Sequence, residues 1–179
     1  MKVLIMYSGG VESTALIQHA TKWGHNIDLL HVTHNRSSTN EMASAKLMGN
    51  RLFELQLIKP EIDKHLTDKH KDVVMWMSGA MMVAAKGDYQ EVWHGKHSMD
   101  PGLPSIPLMT TSWNAMMKIL ELKTKLLAPL HEYSKRAQYD MLTSYQKSCI
   151  VSCRGGNYDA PCNKCVKCQE FKQLVEDVA

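Results

Sequence analysis

Short apolar runs alternate along this chain with longer segments in which apolar side chains recur every three or four positions, the period of a helix buried on one face. Lys2–Tyr7 is apolar and stops at Gly9-Gly10, and Ser13–Trp23 follows with Leu16, Ala20 and Trp23 on one side. The pattern predicts strand, glycine turn, helix. Ile27–Thr33 predicts a second strand, and Ser38-x-x-Glu41 has the form of a capping box that opens a helix through Leu52. Phe53, Leu55 and Leu57 alternate with Glu54 and Gln56, the period of a half-buried strand. Val73–Lys86 reads as a helix, Glu91–Gly95 as a strand, Gly102–Pro107 as a loop and Ser112–Leu122 as a helix. Leu126–Leu130 gives a further strand, and Ser134 caps a helix that carries Ala137, Met141 and Tyr145.

Strands alternating with helices predict an α/β domain, a parallel sheet of about five strands with helices on both faces. In such sheets a ligand sits beyond the carboxyl ends of the strands, where the strand order reverses. The glycine turn after the first strand lies at that edge. Beyond Tyr145 the helical rhythm gives way to glycine, proline and cysteine. The chain therefore divides into an α/β ligand-binding domain over 1–148 and a thiol-bearing segment with a C-terminal helix over 149–179.

At 179 residues the chain can bury one sizeable core. With 44% hydrophobic and 22% charged residues it is neither disordered nor fibrous. Lys and Arg exceed Asp and Glu by 21 to 18, and the basic residues form no stripe, so nucleic acid is not an expected direct partner. No apolar run approaches the roughly 18 residues a membrane span needs, and Val73–Ala85 is broken by Ser78 and Gly79. The apolar run before Gly9 is too short for a secretory signal, which makes the cytoplasm the expected location. The thirteen methionines read mainly as core filler.

Ser8-Gly9-Gly10-Val11-Glu12-Ser13 joins a strand to a helix, so its N–H groups and the helix dipole favour an anion there. The glycines admit a phosphate closely, and Ser8 and Ser13 can donate to its oxygens. Neither GxxxxGK[ST] nor GxGxxG is present. In a reducing compartment, Cys153-x8-Cys162-x2-Cys165-x2-Cys168 is a metal-ligand set rather than a pair of disulfides. Four thiolates suit tetrahedral structural zinc, with an iron–sulfur cluster as the alternative. Cys149 lies outside this pattern and reads as a small buried hydrophobe. His94 and His97 flank Lys96 and have the chemistry of an acid or base near neutral pH.

SGGVES resembles the SGGxDS pyrophosphate-binding loop of the PP-loop ATP pyrophosphatases, with Glu12 where that superfamily usually carries Asp. Together with the thiols the order of motifs resembles the 7-cyano-7-deazaguanine synthase family over Lys2–Ala20, Val92–Asp100, Ala128-Pro129-Leu130 with Ser134-Lys135, and Ser152–Cys168. The resemblance implies ATP and Mg2+ as cofactors, a structural Zn2+ on Cys153, Cys162, Cys165 and Cys168, and a homodimer. It implies a nucleotide site on Tyr7, Ser8, Gly9, Gly10, Val11, Glu12, Ser13 and Thr14, with Lys96 and Lys135 as the candidate catalytic cations. The implied reaction is ATP-dependent amidation of a 7-carboxy-7-deazaguanine carboxylate with ammonia, then dehydration to the nitrile. Adenylation turns a poor leaving oxide into AMP. Two alternatives stay open: another adenylating PP-loop enzyme acting on a nucleobase or tRNA, and a nucleotide-binding protein with weakened catalysis. Sulfur transfer would need a reactive cysteine near the phosphate loop, and every cysteine lies beyond residue 148.

Overall fold

The apolar run after Met1 becomes the central strand. β1 (Lys2–Met6) lies between β2 (Asn26–Thr33) and β4 (Glu91–Trp93), with β3 (Arg51–Gln56) and β5 (Lys125–Leu127) at the edges. All neighbours are parallel, in the order β3-β2-β1-β4-β5. The computed structural model describes residues 1–33, 38–56, 68–96, 104–151, 153 and 161–176. Seven helices are found among these: α1 (Val11–Lys22), α2 (Ser38–Leu47), α3 (Asp68–Lys86), α4 (Ile106–Ile119), α5 (Lys135–Asp140), α6 (Ser144–Ser148) and α7 (Val166–Glu176). None of the described helices is long and apolar enough to cross a membrane.

The period-two alternation of β1 sorts the core into two layers. Val3 and Ile5 pack on one face against Ala15, Leu16 and Ala20 of α1, Tyr139 of α5 and Leu174 of α7. Leu4 and Met6 face the other way, against Met77 and Ala80 of α3 and Met109, Trp113 and Met117 of α4. Full burial of each such aliphatic side chain stabilises the fold by about 1.5–3 kcal/mol. Because both faces are covered, the strand can be apolar throughout, as the sequence is.

Several boundaries differ from the sequence pattern, each for a local reason. α2 stops at Leu47 rather than Leu52, with Gly49 at φ +72 turning the chain into β3. α4 begins at Ile106 rather than Ser112. The Ser105 hydroxyl accepts from Leu108 N, and Pro107 sits in the first turn, where a missing N–H costs nothing. Thus Pro107 starts the helix rather than ending a loop, and Gly102 lies outside the described residues. The helix expected through Tyr145 is two: α5 ends at Asp140, and Thr143 with Gln146 forms a capping box that opens α6. The last strand is shorter than expected and ends at Leu127. Leu57 lies outside the described residues, as does the side chain of Ser38.

The chain leaves β1 toward β2 and β3, then returns to place β4 on the other side of β1. The strand order therefore reverses between β1 and β4, and the crevice beyond their carboxyl ends is where such a sheet can receive a ligand.

Candidate functional site

The Ser8–Ser13 loop follows β1 directly into this crevice. Gly9 adopts φ +75, a region that side chains other than glycine rarely enter, and a Cβ there would meet Glu41 Cα at 3.3 Å. Gly10 is the N-cap of α1 and contributes no side-chain acceptor. The first N–H groups of α1, on Val11, Glu12 and Ser13, have no intrahelical acceptor by geometry and keep their donor capacity for an anion. Ser8 Oγ and Ser13 Oγ lie 3.3 Å apart, and the Ser8 N–H also donates to Ser13 Oγ at 3.3 Å. Val11 is buried in the core, and so are Tyr7 and Thr14. Thr14 donates its hydroxyl to Gly10 O at 2.8 Å, while Tyr7 Oη sits 2.7 Å from Ser44 Oγ and 3.4 Å from Thr14 Oγ1. These side chains support the loop from beneath.

The end of β4 approaches the same loop. A Cβ on Gly95 would lie 3.0 Å from Glu12 Cβ and 3.1 Å from Ser13 N, so the absence of a side chain there lets the two segments meet. Lys96 follows, and it is only 6% exposed, which sets it apart from an ordinary solvated lysine. Its N–H donates to His94 Nδ1 at 3.3 Å, which puts the single ring proton of a neutral His94 on Nε2. Burial first, then the charges of Lys96 and His131, push His94 down to about 4. At neutral pH it is therefore a neutral donor and not a titrating acid or base. His97 lies outside the described residues.

Lys135 reaches the site from the first turn of α5. Its Nζ is 3.3 Å from Glu12 Oε1 and 3.4 Å from Glu170 Oε2, while Lys167 Nζ is 3.0 Å from the same Glu170 oxygen. Partial burial alone would raise Glu170, but hydrogen bonds and charge from Lys167 and Lys135 outweigh it and hold the carboxyl below its ordinary range. Glu170, Ser44 and Glu41 are the residues that sequence reasoning missed. In the sequence Glu41 reads only as a capping-box residue and the other two carry no motif; Glu41 and Ser44 come to the loop from α2 and Glu170 from α7.

The four thiols expected to bind metal converge: the sulfurs of Cys153, Cys162, Cys165 and Cys168 all lie within 4.8 Å of one another. A zinc ion with bonds of about 2.3 Å sets neighbouring sulfurs about 3.8 Å apart, close to the 4.0 Å between Cys162 Sγ and Cys168 Sγ. The Cys162 N–H points to Cys153 Sγ at 3.2 Å and the Cys165 N–H to Cys162 Sγ at 3.4 Å, so the backbone turns around the sulfurs. Asn163 takes φ +55 between them. The donor set fits a tetrahedral soft-metal ion. With no ion bound, burial first and then hydrogen bonding among the thiols push Cys168 up to about 12, so loading the site must release protons.

Sequence distance misleads about where this segment lies. Val151 N donates to Gly9 O at 2.8 Å, and Ser44 Oγ donates to Cys149 O at 2.6 Å, so the stretch that leads into the thiols packs beside the Ser8–Ser13 loop. Cys149 is itself buried, as expected of a small hydrophobe.

A five-stranded parallel sheet with helices on both faces, a glycine loop at its switch point and a C-terminal four-thiol cluster define the class, a parallel α/β protein. No family model matches the sequence, and no curated protein matches it. Among solved structures, a predicted subunit of tRNA methyltransferase from Methanocaldococcus jannaschii is similar with a TM-score of 0.55 at 15% identity, over 79% of this chain and 73% of that one. A 4-thiouridine synthetase, solved with RNA and bound ATP, is similar with a TM-score of 0.53 at 16% identity. That match covers 99% of this chain, which spans half the length of the synthetase chain. At these identities the likeness is one of fold.

Proposed function

We propose that the chain is an ATP-dependent adenylating enzyme of the PP-loop class whose acceptor is an oxygen of a nucleobase-type molecule. The observation that carries the reading is the Ser8–Ser13 loop at the N-terminus of α1, with Lys135 set 3.3 Å from Glu12 at its rim. The β and γ phosphates would lie on the loop N–H groups and the Ser8 and Ser13 hydroxyls, where the helix dipole and Lys135 oppose their charge. The acceptor oxygen attacks the α phosphorus, the bond to the β-phosphate oxygen breaks, and pyrophosphate leaves. An amine or other nucleophile then displaces AMP from the activated carbon. Glu12 is the carboxylate that would face a magnesium ion accompanying ATP, and buried Lys96 would act from the β4 side. Support for a base-type acceptor comes from the fold shared with a thiouridine synthetase solved with ATP and RNA.

A second reading narrows the acceptor to the carboxylate of 7-carboxy-7-deazaguanine, with ammonia as the nucleophile and an amide or nitrile as the product. The four-thiol cluster favours it, because the order of phosphate loop, Ser134-Lys135 and cysteines is the one that resembles the deazaguanine synthases.

The test is to incubate the metal-loaded protein with ATP, magnesium and ammonium, adding bulk tRNA, 7-carboxy-7-deazaguanine or nothing, and to follow AMP and pyrophosphate. AMP formation that depends on tRNA supports the first reading. Conversion of the deazaguanine acid supports the second. If no AMP forms with any acceptor and ATP fails to bind, the adenylation reading is wrong.

A further inference from the structure

The four-thiol segment touches the Ser8–Ser13 loop at its upstream end and reaches it through Lys135 at its downstream end. Upstream of Cys153, the Val151 N–H donates to Gly9 O at 2.8 Å. Downstream, Glu170 follows Cys168 on the first turns of α7, and its carboxylate meets Lys135, whose ammonium also meets Glu12. Arg136 adds a tie between the same two helices, donating from Nη1 to Leu174 O at 3.2 Å.

We infer that Glu170 is a positioning residue for Lys135, and that through Glu170 and the Val151 contact the metal occupancy of the four thiols is coupled to anion occupancy of the phosphate loop. The inference rests on reading Ser8–Ser13 as a phosphate site and adds what sets its affinity. A lysine side chain has four rotatable bonds, and one carboxylate leaves it many ways to point; a second carboxylate on another helix fixes the ammonium over the loop. That second carboxylate is held in place by a helix whose first turn supplies the Cys168 ligand. A metal that joins Cys168 to Cys153 therefore joins Glu170 to Val151, and so fixes two of the loop's neighbours at once. Linkage requires the coupling to be reciprocal: if metal tightens the anion, the anion tightens the metal by the same factor.

The experiment uses the full chain loaded with zinc. Zinc affinity is measured by competition with a chromophoric chelator, with and without magnesium pyrophosphate and with and without ATP. The accessibility of Lys135 is read from its rate of acylation by an amine reagent, followed by mass spectrometry. Anion should tighten zinc by about fivefold or more, within the usual range of coupling between sites. Glu170→Gln should still bind zinc and anion, but with the coupling factor reduced toward one and Lys135 acylated several-fold faster. Chelating the wild-type chain should speed Lys135 acylation in the same way, without any substitution. A coupling factor of one in a wild type that does bind pyrophosphate or ATP overturns the coupling, and Lys135 acylation unchanged by both Glu170→Gln and chelation overturns the positioning role. The acylation reading needs no nucleotide: if it responds as expected while neither pyrophosphate nor ATP binds, the phosphate assignment falls and the positioning role of Glu170 stands.

Discussion

The phosphate loop and the four-thiol segment sit side by side but are built on different principles. The loop inherits its place from β1, whose residues Val3, Leu4 and Ile5 are fully buried and which is paired on both sides. Its conformation is set by the turn at Gly9 and by the close approach of Gly95, before any ligand arrives. The thiol segment has much less of this. Among its described residues, Cys162 and Cys165 are half-buried, and the apolar anchors of α7 are Leu174 and Phe171. A site made by the sheet is pre-formed, whereas a site made by its ligands is completed by the ion it binds.

The largest expected effect follows from that contrast. Cys162→Ser should abolish tight zinc binding and cost several kcal/mol of stability, because metal-binding energy in such segments is folding energy. Hydrogen exchange would locate the damage: the amides of α7 should lose protection while those of β1 and β4 keep theirs. Equal loss in both regions would show that the sheet also depends on the metal.

A second prediction concerns the sheet side alone. His94 is held at about 4 in the fold, by burial first and then by Lys96 and His131, against an ordinary value of 6.5. The unfolded chain therefore binds a proton that the folded chain refuses between about pH 6.5 and pH 4. Stability should be unaffected by this group above pH 6.5, should fall as pH drops through the window, and should level off below about 4. The full loss is on the order of 3 kcal/mol. Urea unfolding of the wild type and His94→Gln across this range checks it. The difference between the two should shrink with acid, since the variant has no proton to refuse.

Gly95→Val comes next. Its Cβ would lie 3.0 Å from Glu12 Cβ and 3.1 Å from the Glu12 carbonyl carbon, so the start of α1 must shift to admit it. A cost of about 2 kcal/mol is expected, together with weakened ATP binding, both measurable by unfolding and titration. The zinc content should stay that of the wild type.

How far the sequence could be read follows the same division. The sheet was legible because burial on both faces writes itself as apolar runs, and the loop because glycines between a strand and a helix have few other uses. The thiols were legible from spacing alone. What failed to show was anything decided between elements. Pro107 reads as a loop residue until Ser105 is seen to cap the helix that contains it. Glu170 looks like one more surface acid of an amphipathic helix until Lys135 is found beside it. The remoteness of Cys149 in sequence hides that its carbonyl accepts a hydrogen bond from Ser44, under the loop. Side-chain pairing across elements leaves no period in a single sequence.

Two serine caps give the finest test of the comparison. Ser134 Oγ accepts from Ala137 N at 3.1 Å and opens α5, whose first residue is Lys135; Ser105 Oγ accepts from Leu108 N at 3.4 Å and opens α4 on the opposite face of the sheet. Replacing either by alanine removes the one side-chain acceptor at that helix start and should cost about 1 kcal/mol. The stability losses should thus be alike, but the site effects should differ. In Ser134→Ala the first turn of α5 frays, Lys135 loses its fixed origin between Glu12 and Glu170, and ATP affinity should fall a few-fold. In Ser105→Ala no described residue of the loop is attached to the frayed turn, so ATP affinity should remain that of the wild type. If calorimetric titration finds the same loss of affinity in both, general loosening of the sheet explains the effect and the placement of Lys135 by its helix does not.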